Sequence, residues 1–281
     1  MSDRFEILVI TVPSSDVELA SDIMWTAGAQ AVEEVPVDER VELRTDLGDN
    51  PVGPWTNAVT SALGVQPSNW SVTTRLVDRS VADNWKQFAP VTTVGSLRIV
   101  PSWTTDERRD DEVLIDPGGS FGMGDHPTTR ATLTLALDLA ARGDVCASVL
   151  DLGCGSGVLG IALALNYGSR VVAVDIAPAA IEATLANIAS NAVSQNFVIE
   201  RGDINSVKGR YDLVLANILA PVLLADRDAI LERVAARGTL ILSGFTDTRL
   251  HDIVESYESA GCRQRHLHEV DGWYALELQC P

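Results

Sequence analysis

An aspartate followed by closely spaced glycines is the first feature of this sequence that suggests chemistry. In SVLDLGCGSGVLG, residues 148–160, an apolar run leads to Asp151 and is followed by Gly153, Gly155 and Gly157. A strand that passes through a glycine-rich turn into a helix is typical of nucleotide-cofactor sites, because glycine lets a ligand approach the backbone. With Gly160 the same segment also satisfies the dinucleotide pattern, so the glycines alone do not identify the cofactor.

Two carboxylates around this turn favour one cofactor over the other. Asp175 ends the next predicted strand, at the distance where an acid accepts hydrogen bonds from ribose hydroxyls. Asp151 lies beside the turn and would repel the pyrophosphate of a dinucleotide, whereas the ammonium and sulfonium groups of S-adenosylmethionine favour a nearby acid. We therefore predict an S-adenosylmethionine site, with a dinucleotide site or a purely structural turn as the alternatives.

Two further strand ends carry candidate residues. Asp203, after the third predicted strand, is positioned to accept a hydrogen bond from the adenine amino group, or is simply a solvated loop acid. Asn217 begins NILAP at the end of the fourth strand, where its amide oxygen can accept a hydrogen bond from an amine and orient the attacking lone pair. Asn217 is our candidate catalytic residue, although a strand-end asparagine is also an ordinary turn former.

A glycine-rich segment precedes the first helix of the predicted cofactor domain. In GGSFGMGDHPTTR, residues 118–130, the glycines predict a flexible flap, and Thr128 and Thr129 could bind the carboxylate of the cofactor near a helix N-terminus. We interpret His126 as a structural histidine rather than a general base. The other histidines have no ligand spacing with cysteines or acids, so no metal site is predicted.

The elements that position these residues follow from periodicity. From residue 127 onward, apolar strands alternate with amphipathic helices, which predicts a doubly wound parallel α/β sheet with an antiparallel hairpin at its edge. Residues 119–281 form the predicted cofactor domain and 81–118 an interdomain linker segment. Residues 1–80 show a β-α-β-β-α-β order, which predicts a small ferredoxin-like domain for substrate recognition.

Composition narrows the class of partner. The net charge of −18 and the lack of a basic patch argue against direct binding of nucleic acid. The acidic surface favours a cationic partner, with the alternative that it only keeps the protein soluble. No apolar run reaches the length of a membrane span, and the first residues do not resemble a signal peptide. The four cysteines show no metal or disulfide spacing, so we expect a reduced, cytoplasmic protein.

Several motifs together resemble the bacterial ribosomal protein L11 methyltransferases, which methylate lysine ε-amino and N-terminal α-amino groups. These motifs are FGMGDHPTTR, VLDLGCGSGVLGIAL, AVDIAPAAIEATLANIASN and ANILA, in the order of the family. The resemblance implies that Thr129, Gly153, Asp175 and Asn217 bind the cofactor and that the amino-terminal domain grips the target protein. Met123 replaces the usual threonine of the flap, and Asp125 is unusual there.

The resemblance therefore implies a basic protein substrate, a large-subunit ribosomal protein. Two alternative functions stay open: a lysine methyltransferase for another protein, and a small-molecule methyltransferase. RNA methylation is disfavoured by the acidic composition. A catalytically silent binding protein that uses the same fold is the alternative from outside enzymes.

Overall fold

The computed structural model describes residues 4–26, 29, 32–46, 68–78, 89–104, 109–143 and 147–281. The chain forms two compact units, residues 1–89 and residues 90–281. Within the described ranges, no helix combines the length and the apolar character needed to cross a membrane.

The first unit is a four-stranded antiparallel sheet in the order β2-β3-β1-β4, with one described helix. Its elements are β1 Arg4–Pro13, α1 Val17–Thr26, β2 Glu33–Val37, β3 Arg40–Asp46 and β4 Ser71–Asp78. The helix packs over a core that includes Leu8, Met24 and Trp70, and the Trp70 indole N–H donates to Asp16 at 2.8 Å. The predicted second helix, near residues 55–63, lies outside the described residues, so the ferredoxin-like domain stays a prediction.

The second unit begins with a small sheet that packs into its core. The strands are β5 Thr92–Val94, β6 Leu97–Pro101 and β7 Glu112–Ile115, with β6 parallel to β7. Ile99 and Ile115 are fully buried and belong to the same apolar cluster as residues of the cofactor domain. This stretch, which the sequence assigned to a linker, therefore contributes to the core of the second unit.

The charged composition of TTDERRDDE, residues 104–112, predicts an exposed loop, and this prediction is wrong at the end of the segment. Glu112 begins β7 and is only 5% exposed. Its carboxylate accepts hydrogen bonds from Arg98 Nη1 at 2.6 Å and from the Arg109 backbone N–H at 3.0 Å. The buried charge of Glu112 is tolerated because it is both paired and hydrogen-bonded. Its partner Arg98 lies fourteen residues away, so the local sequence pattern could not predict this pair.

The main sheet has seven strands in the order β10-β9-β8-β11-β12-β14-β13. Strands β8 to β12 are parallel, whereas β14 is antiparallel to both β12 and β13. The strands are β8 Ser148–Leu152, β9 Arg170–Asp175, β10 Phe197–Arg201, β11 Tyr211–Asn217, β12 Val234–Thr246, β13 Arg263–Val270 and β14 Trp273–Gln279. The predicted doubly wound α/β fold with an antiparallel edge hairpin is confirmed.

Helices cover both faces of this sheet, and each face has its own buried apolar cluster. The described helices of the second unit are α2 Pro127–Ala141, α3 Val158–Tyr167, α4 Pro178–Ser190, α5 Ala220–Ala225, α6 Arg227–Glu232 and α7 Asp247–Ser259. From β8 the chain continues to β9 on one side of the sheet, whereas from β11 it continues to β12 on the other side. The direction in which strands are added therefore reverses between the neighbours β8 and β11. A crevice for a ligand is expected at their carboxyl ends.

The leucine- and alanine-rich segment 221–236 predicts a single helix, and this prediction is wrong. Two short helices meet at Asp226, and β12 already begins at Val234. The Tyr211 N–H donates to the Arg233 carbonyl at 2.8 Å, and Val234 pairs with Tyr211 in the sheet. Pairing with a strand distant in sequence thus overrides the helix propensity of the alanines that follow.

Candidate functional site

The predicted site residues lie at the carboxyl ends of four adjacent strands. Asp151 is the second-to-last residue of β8, Asp175 ends β9, and Asn217 ends β11. Asp203 follows β10, which ends at Arg201 rather than at residue 203. The register pairs Leu152 with Ala216, so the glycine loop after β8 and the NILAP segment after β11 emerge side by side at the strand reversal.

The glycine loop adopts a conformation that other residues rarely take, in a space that excludes side chains. Gly153, Gly155 and Gly157 have φ angles of +70°, +55° and +80°. A Cβ atom at Gly153 would collide with the side chain of Ile218, and one at Gly155 would lie 2.5 Å from the Phe121 carbonyl oxygen. The glycines are therefore required by the close packing of this loop against Ile218 and the flap.

Asp175 ties the glycine loop to the end of β9. One carboxylate oxygen accepts the Gly155 N–H at 3.0 Å, and the other accepts the Ala177 N–H at 2.9 Å. An ionised carboxylate offers about four lone-pair positions, so Asp175 retains acceptor capacity for the hydroxyl groups of a ligand. The residue therefore shapes the loop and remains available to a ligand.

Asp151 is buried rather than exposed in the crevice, with 1% of its surface accessible. Oδ2 accepts the Gly160 N–H at 3.0 Å, whereas Oδ1 has no hydrogen-bond partner in the described part of the chain. Burial raises the pKa of this carboxyl to about 7; the Gly160 hydrogen bond opposes that rise, and the charge of Asp175 adds to it. A positive charge near the loop would favour ionisation, whereas a phosphate would oppose it.

The flap is held against the glycine loop by its own backbone. The Phe121 carbonyl accepts the Ser156 N–H at 2.9 Å, and the Gly122 carbonyl accepts the Ser156 hydroxyl at 2.5 Å. Gly122 has a φ of +108°, and a Cβ there would lie 2.7 Å from Ser156 Oγ. The flap and the glycine loop are therefore packed directly against each other.

Thr129 carries an unpartnered hydroxyl at the start of α2. The residue is 1% exposed, and its Oγ1 has no hydrogen-bond partner among the residues that the structure describes. Threonines in a glycine-rich flap are expected to expose their hydroxyls, but Thr128 is also buried, at 2% exposure. Burying a hydroxyl without a hydrogen-bond partner costs free energy. A ligand that forms a hydrogen bond with Thr129 Oγ1 would remove this cost and bind more tightly.

His126 packs between two aromatic rings of the second unit. Its ring contacts those of Phe121 and Trp273 edge to face, at centroid distances of 5.1 and 5.2 Å, and Nδ1 lies 2.8 Å from Thr128 Oγ1. Burial lowers the pKa of the imidazole, against the opposing charge of Asp125. These contacts are those of a neutral histidine that shapes the flap.

Two asparagines that the sequence analysis did not single out hold this arrangement together. The Asn187 amide donates to the carbonyls of Asp116 and Ser156 and accepts the Asp116 N–H, each at 2.9 Å. One helical turn later, Asn191 exchanges hydrogen bonds with the backbone of Leu114 at 2.7 and 2.9 Å. Asparagine is disfavoured inside helices, so Asn187 in the last turn of the alanine-rich α4, followed by a second asparagine as the C-cap, was a usable signal.

Asn217 has a free amide beside the glycine loop. Its residue is half-buried, and no hydrogen bond to its side chain occurs among the described residues. The next residue is fixed tightly: the Ile218 N–H donates to the Ser243 carbonyl at 3.1 Å, and the Ile218 backbone lies against Gly244, where φ is +99°. The backbone that follows Asn217 is therefore fixed, and its side-chain amide is available for a ligand.

Asp203 is exposed and caps its own turn. One carboxylate oxygen accepts the N–H groups of Asn205 at 2.9 Å and Ser206 at 3.3 Å. An adenine contact therefore stays a prediction for this residue. Cys154, in the glycine loop, is buried and its pKa is raised by burial, as expected for a small packing residue rather than a nucleophile.

The site fits S-adenosylmethionine on three observations of this structure. The glycine loop has no room for a Cβ, the buried Thr129 hydroxyl has no partner among the described residues, and a negative charge on Asp151 would favour a cation over a pyrophosphate. Thr129, Asp175 and the glycine loop would hold the cofactor, with Asn217 at the side of the acceptor. The described residues contain no cluster of three side chains suited to bind a metal ion.

Known proteins resemble this chain at the level of family, sequence and structure. The family model described as ribosomal protein L11 methyltransferase (PrmA) matches residues 30–280. A protein named ribosomal protein L11 methyltransferase from Streptococcus mutans serotype c is 32% identical over 98% of this chain and 95% of that protein. A protein of the same name from Streptococcus pneumoniae serotype 4 is 39% identical over 67% of this chain and 60% of its own length.

A solved structure supports the same relationship. The crystal structure of a ribosomal protein L11 methylase from Lactobacillus delbrueckii subsp. bulgaricus superposes with a TM-score of 0.59 and 27% identity. The match covers 68% of this chain and 98% of that one.

The unpartnered hydroxyl gives a test for Thr129. We expect Thr129→Val to weaken binding of S-adenosylmethionine by about 1 kcal/mol, roughly fivefold, because one hydrogen bond to the ligand is lost. The thermal midpoint of the free protein should not fall, because valine removes a hydroxyl that the described residues leave unsatisfied. Calorimetric titration and thermal unfolding measure the two effects.

Thr132→Val is the matched control, because the Thr132 hydroxyl donates to the Thr128 carbonyl at 2.8 Å in the same helix. This variant should lose about 1 kcal/mol of stability and keep its affinity for the cofactor. The assignment of Thr129 fails if its variant behaves like the Thr132 variant.

The raised pKa of Asp151 predicts a pH dependence of cofactor binding. Below about pH 7 the buried carboxyl is protonated and neutral, and above it the carboxylate attracts a cation. Cofactor affinity should therefore rise between about pH 6 and pH 8 in the wild type, with proton release on binding. Asp151→Asn should show a flatter profile and less proton release when titrated calorimetrically in buffers of different ionisation enthalpy; identical profiles would exclude this role.

Proposed function

The chain belongs to the ribosomal protein L11 methyltransferase family, and from this premise we propose that it transfers methyl groups from S-adenosylmethionine to amino groups of ribosomal protein L11. The acceptors are lysine ε-amino groups, the N-terminal α-amino group, or both. One observation carries the proposal: the free amide of Asn217 lies at the strand end next to a glycine loop flanked by two carboxylates. A methyl acceptor and a cationic donor would meet there.

The residues of this chain supply position and environment rather than covalent chemistry. S-adenosylmethionine, when bound, provides a methyl group on a positively charged sulfur. The attacking amine must be neutral, whereas a free lysine has a pKa of ~10.4. Transfer of the ammonium from water into the crevice disfavours its charged form, and the Asn217 amide oxygen accepts one N–H and leaves the lone pair free to attack.

Charge supports a basic protein as the target. The chain has a net charge of −18, and residues 1–80 contain thirteen acidic and five basic side chains. Opposite charge accelerates the encounter with a basic ribosomal protein and opposes contact with a nucleic acid backbone. We assign target recognition to the first unit and a cytoplasmic location to the protein.

Labelled cofactor tests this function directly. The full chain is incubated with radiolabelled S-adenosylmethionine and, in separate reactions, with purified L11, other basic ribosomal proteins, ribosomal RNA, or lysine and other small amines. We expect label in L11, located on lysine or N-terminal amines by mass spectrometry. Label in another protein alone would identify a different protein target, and label only in RNA or small molecules, or none at all, would overturn the proposal.

Asn217 variants test the acceptor side of the site. Asn217→Ala removes the acceptor and should lower turnover on the order of 10²-fold at saturating cofactor, because the amine is poorly aligned. Asn217→Asp favours the unreactive ammonium through its negative charge, so its turnover should be low and recover partly as pH rises. Initial rates of L11 methylation between about pH 7 and pH 9.5 measure both effects.

Asn196→Ala is the control, since the Asn196 amide donates to the Ser169 carbonyl before β10, at the opposite end of the sheet. It should keep the turnover and pH profile of the wild type. If the Asn217 variants lose only cofactor affinity and keep turnover at saturation, Asn217 is a cofactor ligand and not a positioning group for the amine.

A further inference from the structure

Two cysteines lie directly opposite each other at the end of the β13–β14 hairpin. The antiparallel register ends with Arg263 opposite Gln279, and Cys262 and Cys280 are the next residues along the two chain segments, beyond that last pair. Both residues are buried, at 5% and 4% exposure, in the same apolar cluster. They are the first and last residues of a loop that a bond between them would close.

The backbone places this pair at the short spacing of an antiparallel ladder. The Cys262 N–H donates to the Tyr257 carbonyl and the Cys280 N–H to the Gly238 carbonyl, each at 3.2 Å, so the two residues do not bond each other through their backbones. Residues opposite each other without such bonds have Cα atoms ~4.5 Å apart. That separation lies within the range that a disulfide spans.

The thiols already interact with each other. A hydrogen bond from the Cys280 thiol lowers the pKa of Cys262 and raises that of Cys280. Cys154 provides the contrast: it is also buried, but its sulfur lies 3.5 Å from the Thr184 hydroxyl and its pKa is raised by burial. Cys262 is therefore the thiol of the pair that ionises and attacks.

We propose that Cys262 and Cys280 form a dithiol site that is oxidised to an intramolecular disulfide by low-molecular-weight disulfides. The Cys262 thiolate attacks one sulfur of the soluble disulfide, forms a mixed disulfide and releases one thiolate, which takes up the proton that Cys262 lost. The Cys280 sulfur then attacks the Cys262 sulfur, and the second thiol leaves with the Cys280 proton. Two cysteine thiols lose two electrons in total, and the soluble disulfide is reduced to two thiols.

This site is distinct from the proposed methyl-transfer site. Gly238, which accepts the Cys280 N–H, precedes the part of β12 that pairs with Asn217, so the thiols lie towards the amino end of that strand. The bond would join the residue before β13 to the residue after β14. We expect it to raise the thermal midpoint of the chain by several degrees, because it restricts the unfolded hairpin.

Oxidised glutathione tests the proposal on the full wild-type chain. After incubation of the native protein, blocking of free thiols and digestion without reductant, mass spectrometry should find a peptide pair linked through Cys262 and Cys280, with Cys154 still free. Added reductant should reverse both the link and the rise in thermal midpoint. A wild-type protein with no such link, with stable glutathione adducts instead, or with links only between molecules would overturn it.

Single variants identify the order of attack. Cys280→Ser should trap glutathione on Cys262, because the serine hydroxyl can still donate to that sulfur but cannot displace the adduct. Cys262→Ser should leave Cys280 unmodified, and Cys146→Ser, which removes a thiol elsewhere, should still form the link. Trapping on Cys280 in place of Cys262 would contradict the assigned order; the mapping of the wild type does not depend on whether either variant folds.

Discussion

Close approach of backbone segments without side chains is the constraint on which this site depends. At the reversal of the sheet, the glycine loop touches the Ile218 side chain on one side and the Phe121 carbonyl on another, and no Cβ fits at either contact. Gly244 of β12 is pressed against the Ile218 backbone in the same way. The glycine loop, the flap and the segment after β11 share these contacts. A side chain added at one of these glycines would therefore displace the neighbouring segment.

A buried carboxyl gives the crevice its electrostatic character. Asp151 is surrounded by apolar strands and helix backbone, with one hydrogen bond from Gly160, and its pKa of about 7 reflects the cost of keeping a charge there. That cost falls when a cation binds nearby, and it would grow if a phosphate did. An ionised Asp151 would therefore favour a cationic ligand beside the glycine loop over an anionic one.

Polar side chains on otherwise apolar elements fix the position of the loops through hydrogen bonds to their backbone. Asn187 of α4 and Asn191, the C-cap of that helix, bond the backbone of residues 114–116 and of the glycine loop, and Ser156 bonds the flap. Each such buried hydrogen bond contributes about 1 kcal/mol, but an unmade one costs more. The network thus specifies a single arrangement of the glycine loop and the flap.

Local periodicity and glycine spacing were enough to predict the alternation of strands and helices, the doubly wound class and the strand-end positions of Asp151, Asp175 and Asn217. Which polar groups are buried, and which partners satisfy them, became clear only from the folded chain. Contacts between distant segments produce the Glu112–Arg98 pair, the hydrogen bonds of Asn187, the burial of the Thr129 hydroxyl without a partner among the described residues, and the early start of β12. Burial and hydrogen-bond partners depend on three-dimensional packing, so they cannot be predicted from a local pattern of residues.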